Sequence, residues 1–134
     1  MNQEQILKLV LDHYENPRNY GEISDADVIE EGGNPGCGDI LKIYLNVDSD
    51  NNVRDVSFSA DGCMLSQAGA SILLEKIKGM KVSELNDLSA EYVTELLGKK
   101  MVSTRPQCAR LGFNTLKKAI SKFSQKENIA NSNN

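Results

Sequence analysis

The segment Asn34-Pro35-Gly36-Cys37-Gly38-Asp39 sets a thiol and a carboxylate two residues apart. Glycines on both sides of the cysteine open the backbone and remove bulk around the sulfur. Such a pair can hold a metal. Two further cysteines stand at Cys63, in Asp61-Gly62-Cys63-Met64, and at Cys108, in Arg105-Pro106-Gln107-Cys108. Three thiols and one carboxylate make four ligands. Soft sulfur selects zinc, iron-sulfur clusters or Cu(I), and Asp39 adds a harder oxygen that is easier to displace than a fourth thiolate. Cys63 and Cys108 both fall where a helix is expected to begin, and unpaired N–H groups and the positive dipole end favour a thiolate there. Arg105 adds a cation near Cys108.

Each of these residues also has a plainer reading. A single cysteine is most often a small buried hydrophobe, and a single Asp in a Gly-rich loop most often makes turn hydrogen bonds. Taken together the plain readings weaken, because one thiol sits beside a carboxylate, two sit at helix starts, and none lies deep in an apolar run. The Gly-rich segment is not a phosphate cradle, since it follows no strand into a helix and lacks the lysine of a P-loop. Cysteine-protease chemistry needs a base, and His13 is the sole imidazole. His13 is read instead as a helix-end residue that hydrogen-bonds nearby carbonyls and fixes the turn at Pro17.

The bulk composition narrows the partners. A chain of 134 residues makes one domain that can bury a real core without disulfides. A net charge of -4 with scattered Lys and Arg argues against a nucleic-acid or anionic-membrane surface. No apolar run approaches the roughly 20 residues that cross a bilayer, and Met1-Asn2-Gln3-Glu4 opens into an amphipathic pattern rather than a signal peptide. These features point to a cytoplasmic protein. An odd cysteine count of 3 without a secretory signal leaves metal binding, thiol chemistry or burial.

The elements that must position the ligands follow from periodicity. From Gln5, the residues Ile6, Leu9, Val10 and Tyr14 recur at helical spacing up to Glu15 or Asn16, where Pro17 stops the helix. Val28 and Ile29 suggest a short edge strand leading to a break at Gly32-Gly33. Ile40 to Val47 alternates, with Leu41, Ile43, Leu45 and Val47 on one face; Val53 to Ala60 alternates again after the turn-forming Asp48-Ser49-Asp50-Asn51-Asn52. The two strands form an antiparallel hairpin, which returns Cys63 to the end of the sheet where Cys37 and Asp39 lie. A helix is expected from Met64 to Lys78, closed by Gly79, with small residues Ser66, Ala68, Gly69, Ala70 and Ser71 allowing close packing on the sheet. Val82 to Leu85 makes one short turn, and Ser89 caps a helix through Leu97 that ends at Gly98. The last helix starts at Pro106 and buries Leu111, Leu116, Ile120 and Phe123. Residues 1–124 form the single domain, and 125–134 are expected to be a disordered polar tail.

Taken together, Asp12-His13-Tyr14-Glu15-Asn16-Pro17-Arg18-Asn19, Asn34-Pro35-Gly36-Cys37-Gly38-Asp39, Gly62-Cys63 and Cys108-Ala109-Arg110-Leu111 resemble the iron-sulfur cluster assembly scaffolds of the IscU, SufU and NifU N-terminal type. The resemblance covers nearly the whole chain. It implies an α+β fold, a three-stranded antiparallel sheet with helices packed on one face, and a metal or cluster site at one exposed end. The ligands it implies are Cys37, Asp39, Cys63 and Cys108. It further implies that a cysteine desulfurase delivers persulfide sulfur to one of the cysteines, and that a [2Fe-2S] cluster built with iron then passes to apo iron-sulfur acceptor proteins. On thiol acidity and reach, Cys108 is the first candidate for the persulfide and Cys37 the second.

Two departures from the pattern matter. IscU members carry His immediately before the third cysteine, where this chain has Gln107. The segment that IscU offers to its dedicated chaperone has no counterpart in Met101-Val102-Ser103-Thr104-Arg105 beyond the basic Arg105, so handover through that chaperone is not expected. The residue before Cys108 is instead similar to SufU, whose members hold zinc and accept sulfur from a desulfurase, although the insertion that SufU carries between its second and third cysteines is not found. The main expectation is therefore a scaffold rather than an enzyme. A zinc-bound sulfurtransferase is the alternative, and a purely structural zinc domain is the third reading.

Overall fold

The structure is a computed structural model, and it describes residues 1–34 and 38–132, with the side chains of residue 34 and of 128–132 left aside. Cys37, expected as a ligand, lies outside the described residues. The chain runs α1 (Gln3–Glu15), β1 (Val28–Asn34), β2 (Asp39–Val47), β3 (Val53–Asp61), α2 (Met64–Ile77), α3 (Val82–Asp87), α4 (Glu91–Leu97), α5 (Lys99–Thr104) and α6 (Pro106–Ser132). The strands form one antiparallel sheet in the order β1-β2-β3. The α+β class, the sheet and the helical layer follow the expectation. No helix among the described residues is long and apolar enough to cross a membrane.

The hairpin forms as its alternation requires. Leu41, Ile43 and Leu45 of β2 and Val56 and Phe58 of β3 face Leu73, Leu74 and Ile77 of α2 and Leu116 and Ile120 of α6 in one buried cluster. The opposite face is less exposed than the pattern predicts, for Tyr44, Asn46 and Ser57 are buried too. The linker between α1 and β1 accounts for two of them. Asn46 Oδ1 accepts from the Asp27 N–H at 2.6 Å, and the Ser57 hydroxyl donates to Gly21 O at 2.7 Å. The same linker covers the outer edge of β3, with Phe58 N–H donating to Asn19 O and Gly21 N–H to Phe58 O. An edge closed in this way offers no unpaired ladder to a neighbour at that point.

Several boundaries moved for identifiable reasons. The helix α1 begins two residues earlier than Gln5 because Asn2 and Gln5 form a reciprocal cap, Asn2 Oδ1 accepting from Gln5 N–H at 2.8 Å and Gln5 Oε1 from Asn2 N–H at 2.9 Å. Its buried face holds Val10 and His13, whereas Tyr14, expected inside, is exposed. Strand β1 continues through Gly32 and Gly33 instead of breaking there. A Cβ at Gly32 would collide with Thr115 Oγ1, so the glycine permits α6 to lie against the strand rather than ending it. The helix α4 starts at Glu91 after Ala90 without a side-chain cap; Ser89 contributes only a carbonyl, to Tyr92 N–H. The short α5, with Val102 as its one buried residue, was not legible in the periodicity. Finally, α6 extends past Ser124 to Ser132, into the stretch expected to be a tail. Contacts on its flank help hold it: Lys122 Nζ donates to Ile29 O and Lys126 Nζ to Asp27 O, tying the helix to β1 and its approach.

Candidate metal centre

Three of the four expected ligands converge. Asp39 opens β2, Cys63 immediately precedes α2, and Cys108 lies in the first turn of α6. Their ligand atoms all lie within 4.8 Å of one another. The hairpin places Asp39 beside the end of β3, where Ile40 pairs with Asp61, and the chain then turns through Gly62 into Cys63. That glycine leaves room for the carboxylate, since a Cβ on it would collide with Asp39 Oδ1 and stand 2.8 Å from Asp39 Cγ. The two helices can bring their first turns together because their interface is made of small residues. A Cβ on Gly112 would lie 3.1 Å from Ala70 Cα, and one on Gly69 would lie 3.6 Å from Ala109 O.

Asp39 is the hub. It is 2 % exposed, and its Oδ1 accepts from the Cys63 N–H at 2.8 Å. Its Oδ2 accepts from the Ser66 hydroxyl at 2.8 Å and from the Cys108 thiol at 3.2 Å. Burial alone pushes the carboxyl pKa up, but donation from Ser66, from the Cys63 backbone and from the Cys108 thiol outweighs it, and the net direction is down. An ionised carboxylate with fixed donors is ready to exchange them for a cation.

The state of Cys108 differs from the expectation. The sequence places it at a helix start beside Arg105, which predicts a reachable, acidic thiol. The side chain is instead buried, 2 % exposed, and burial pushes its pKa up to about 12, with the neighbouring Cys63 and Asp39 acting in the same direction. The dipole of α6 does not overcome the loss of solvent around the sulfur. Arg105 is exposed and lines, with Leu7, Met64 and Met101, a groove that reaches Cys63. Cys63 itself is half-buried.

His13 takes no part in this cluster. Its Nδ1 lies 2.7 Å from Ser71 Oγ, which also accepts from the Arg18 N–H at 2.9 Å. The imidazole thus fixes the turn after Pro17, as expected, but through a serine hydroxyl of α2 rather than a carbonyl. Burial first, and the Arg18 charge second, hold its pKa below the ordinary value. The residue that sequence reasoning missed is Ser66, which reads there only as a small packing residue. Its signal was positional: it stands three residues after Cys63, on the same side of the first turn of α2.

Comparison with known proteins identifies the pattern. The family model described as "NifU-like N terminal domain" matches residues 5–130. The chain belongs to the NifU-like N-terminal domain family. Within that family it is 37 % identical over 117 residues to a protein of Archaeoglobus fulgidus named iron-sulfur cluster assembly scaffold protein IscU 1, covering 87 % of this chain and 75 % of the relative. It is 31 % identical over 132 aligned positions to the protein of Bacillus subtilis named zinc-dependent sulfurtransferase SufU, covering 86 % of this chain and 88 % of the relative. A crystal structure from Fervidobacterium islandicum AW-1, described provisionally as a SUF-system iron-sulfur cluster assembly scaffold protein, superposes with a TM-score of 0.71 at 27 % identity, over 89 % of this chain and 99 % of that one. Both subgroups that the motifs resemble are thus represented among relatives of this NifU-like domain.

Proposed function

We propose that this protein is a scaffold on which a [2Fe-2S] cluster is assembled from iron and persulfide sulfur and then passed to apo-proteins. The observation that carries the reading is the convergence of Asp39 with Cys63 and Cys108 at the meeting point of β2, α2 and α6. The donor set suits a transient cargo: thiolates are the ligands of iron-sulfur clusters, and one carboxylate is the ligand most readily exchanged. Cys37, two residues before Asp39 in sequence, completes the set of four. The proposed partners are a cysteine desulfurase and apo iron-sulfur acceptors. The burial of Cys108 weighs against its being the first persulfide acceptor and favours Cys37, the second candidate.

Anaerobic incubation with a desulfurase, cysteine and ferrous iron should generate an iron-sulfur chromophore, and the cluster should move to an apo-ferredoxin. Mass spectrometry on the same mixture should find the persulfide on Cys37; a persulfide confined to Cys63 would contradict the acceptor assignment. If no chromophore forms and no cluster is transferred, the scaffold reading fails.

A second reading has its own support. A relative named zinc-dependent sulfurtransferase and the presence of Gln107 in place of a histidine both favour a zinc-bound sulfur acceptor. Zinc that resists replacement by iron, together with sulfur transfer but no cluster, would select it. A purely structural zinc would leave the chain unfolded after chelation, whereas the buried cluster of apolar side chains is expected to hold the metal-free domain folded.

A further inference from the structure

Ser66 stands at the junction of two ligands and is itself 2 % exposed. Its hydroxyl donates to Asp39 Oδ2 at 2.8 Å, and its oxygen lies 3.3 Å from Cys63 Sγ. A serine inside a helix ordinarily bonds back to a carbonyl of the preceding turn or points to solvent. Here the side chain turns instead to the candidate ligands. Asp39 is thereby held at both oxygens, by the Cys63 N–H on Oδ1 and by Ser66 on Oδ2.

The proton count gives these contacts a direction. A serine hydroxyl carries one proton and two lone pairs. While that proton is donated to Asp39, the contact with Cys63 runs from the thiol to the serine oxygen. A metal-bound Cys63 thiolate has only lone pairs to offer, so in the loaded site the same contact is made only by the serine proton. Turning that one O–H bond is enough, because Ser66 Oγ already lies within reach of both partners.

We propose that Ser66 is a positioning residue of the metal centre, which holds the Asp39 carboxylate in place before loading and transfers its hydrogen bond to the Cys63 sulfur when the carboxylate engages the cargo. The proposal rests on the ligand assignment above. It separates two tasks that a four-ligand description merges: keeping a carboxylate in place without metal, and moderating a thiolate with metal. A hydrogen bond to a thiolate lowers the energy of its lone pairs, so the sulfur-to-metal charge-transfer transition moves to shorter wavelength.

Cobalt(II) is a suitable probe, because its thiolate charge-transfer bands report the sulfur directly. Ser66→Ala should bind Co2+ about tenfold or more weakly than the wild-type chain, the usual scale for loss of such a supporting partner, and its charge-transfer band should shift to longer wavelength. Ser71→Ala serves as the control. It removes an equally buried hydroxyl of α2 that contacts His13 and Arg18 instead, and should lower the melting temperature with cobalt affinity and spectrum unchanged. Equal cobalt affinity and identical bands in Ser66→Ala and wild type overturn the role of Ser66 alone. Parallel losses in Ser66→Ala and Ser71→Ala overturn it as well, by showing a general effect of α2 packing. A wild-type chain with no thiolate-cobalt band overturns the ligand assignment and the Ser66 role together.

Discussion

Replacing Gly62 by Ala tests whether the approach of β3 to α2 sets the position of Asp39. The added Cβ would overlap Asp39 Oδ1 and lie 2.8 Å from Cγ and 3.0 Å from Cα of the same residue. Two of those atoms belong to the carboxylate and the third is backbone at the start of β2, which is paired on both sides. The strand cannot retreat easily, so the carboxylate must move, breaking its bonds to Cys63 N–H and Ser66. Overpacking of this kind costs about 1–3 kcal/mol, and a displaced hub places the total near the upper end. At roughly 4 °C per kcal/mol for a chain of this size, the metal-free variant should melt about 8–12 °C below wild type. Gly79→Ala at the other end of α2 provides the comparison: its φ is +91° but nothing stands within 4 Å of an added Cβ. Only the positive-φ backbone penalty of about 1–2 kcal/mol applies there, whereas Gly62, at φ +157°, carries such strain together with the clash. Calorimetry should therefore rank Gly62→Ala below Gly79→Ala, and zinc titration should show weakened affinity in Gly62→Ala alone. If both variants melt together and bind zinc like wild type, Asp39 is not held in place by this contact.

Other consequences follow from the same contacts. Asp39→Ala should lengthen the life of a reconstituted cluster, measured by decay of its visible absorbance under acceptor-free conditions; an unchanged decay rate would contradict the labile-ligand role. His13 has a lowered pKa in the folded chain against 6.5 when unfolded, so the unfolded chain binds the extra proton and stability is lost as pH falls below about 6.5. Replacing His13 with Gln should flatten that part of the pH-stability curve from chemical denaturation. Lys117 Nζ donates to Leu85 O, Asn86 O and Leu88 O at 3.0, 2.7 and 3.1 Å. It thereby anchors the C-terminal end of α3 to α6. Lys117→Met should cost about 1–3 kcal/mol and raise amide hydrogen exchange in α3 well above that in α2.

The fold was legible where neighbouring residues share one periodic cause. Alternation in Ile40–Val47 and Val53–Ala60 specified the hairpin, and the hairpin's antiparallel sense was enough to infer that Asp39 and Cys63 meet. Helical spacing placed α2 and the start of α6, with Leu111, Leu116, Ile120 and Phe123 buried as read. Departures arose where a distant partner decided the outcome. Tyr14 was displaced from the inner face of α1 by His13, because Ser71, 58 positions away, supplies its hydrogen bond. Gly32 and Gly33 look like a break until Thr115 of α6 is seen to need the space.

At the site the division is sharper. Residue types and spacing were sufficient to nominate Cys37, Asp39, Cys63 and Cys108, since ligand chemistry is a property of the side chain itself. Tertiary structure alone decided how Asp39 and Cys108 behave. The dipole at a helix start argued for an acidic Cys108, but burial between α2, α6 and β2 removes solvent from the sulfur and reverses the preference. Ser66 shows the same limit from the other side: its hydroxyl matters because packing aims it at Asp39 and Cys63, and that aim is set by contacts across 27 residues of chain. Sequence carries the chemical identity of a ligand, whereas protonation and hydrogen-bond direction depend on which atoms surround it, and those neighbours come from other parts of the chain.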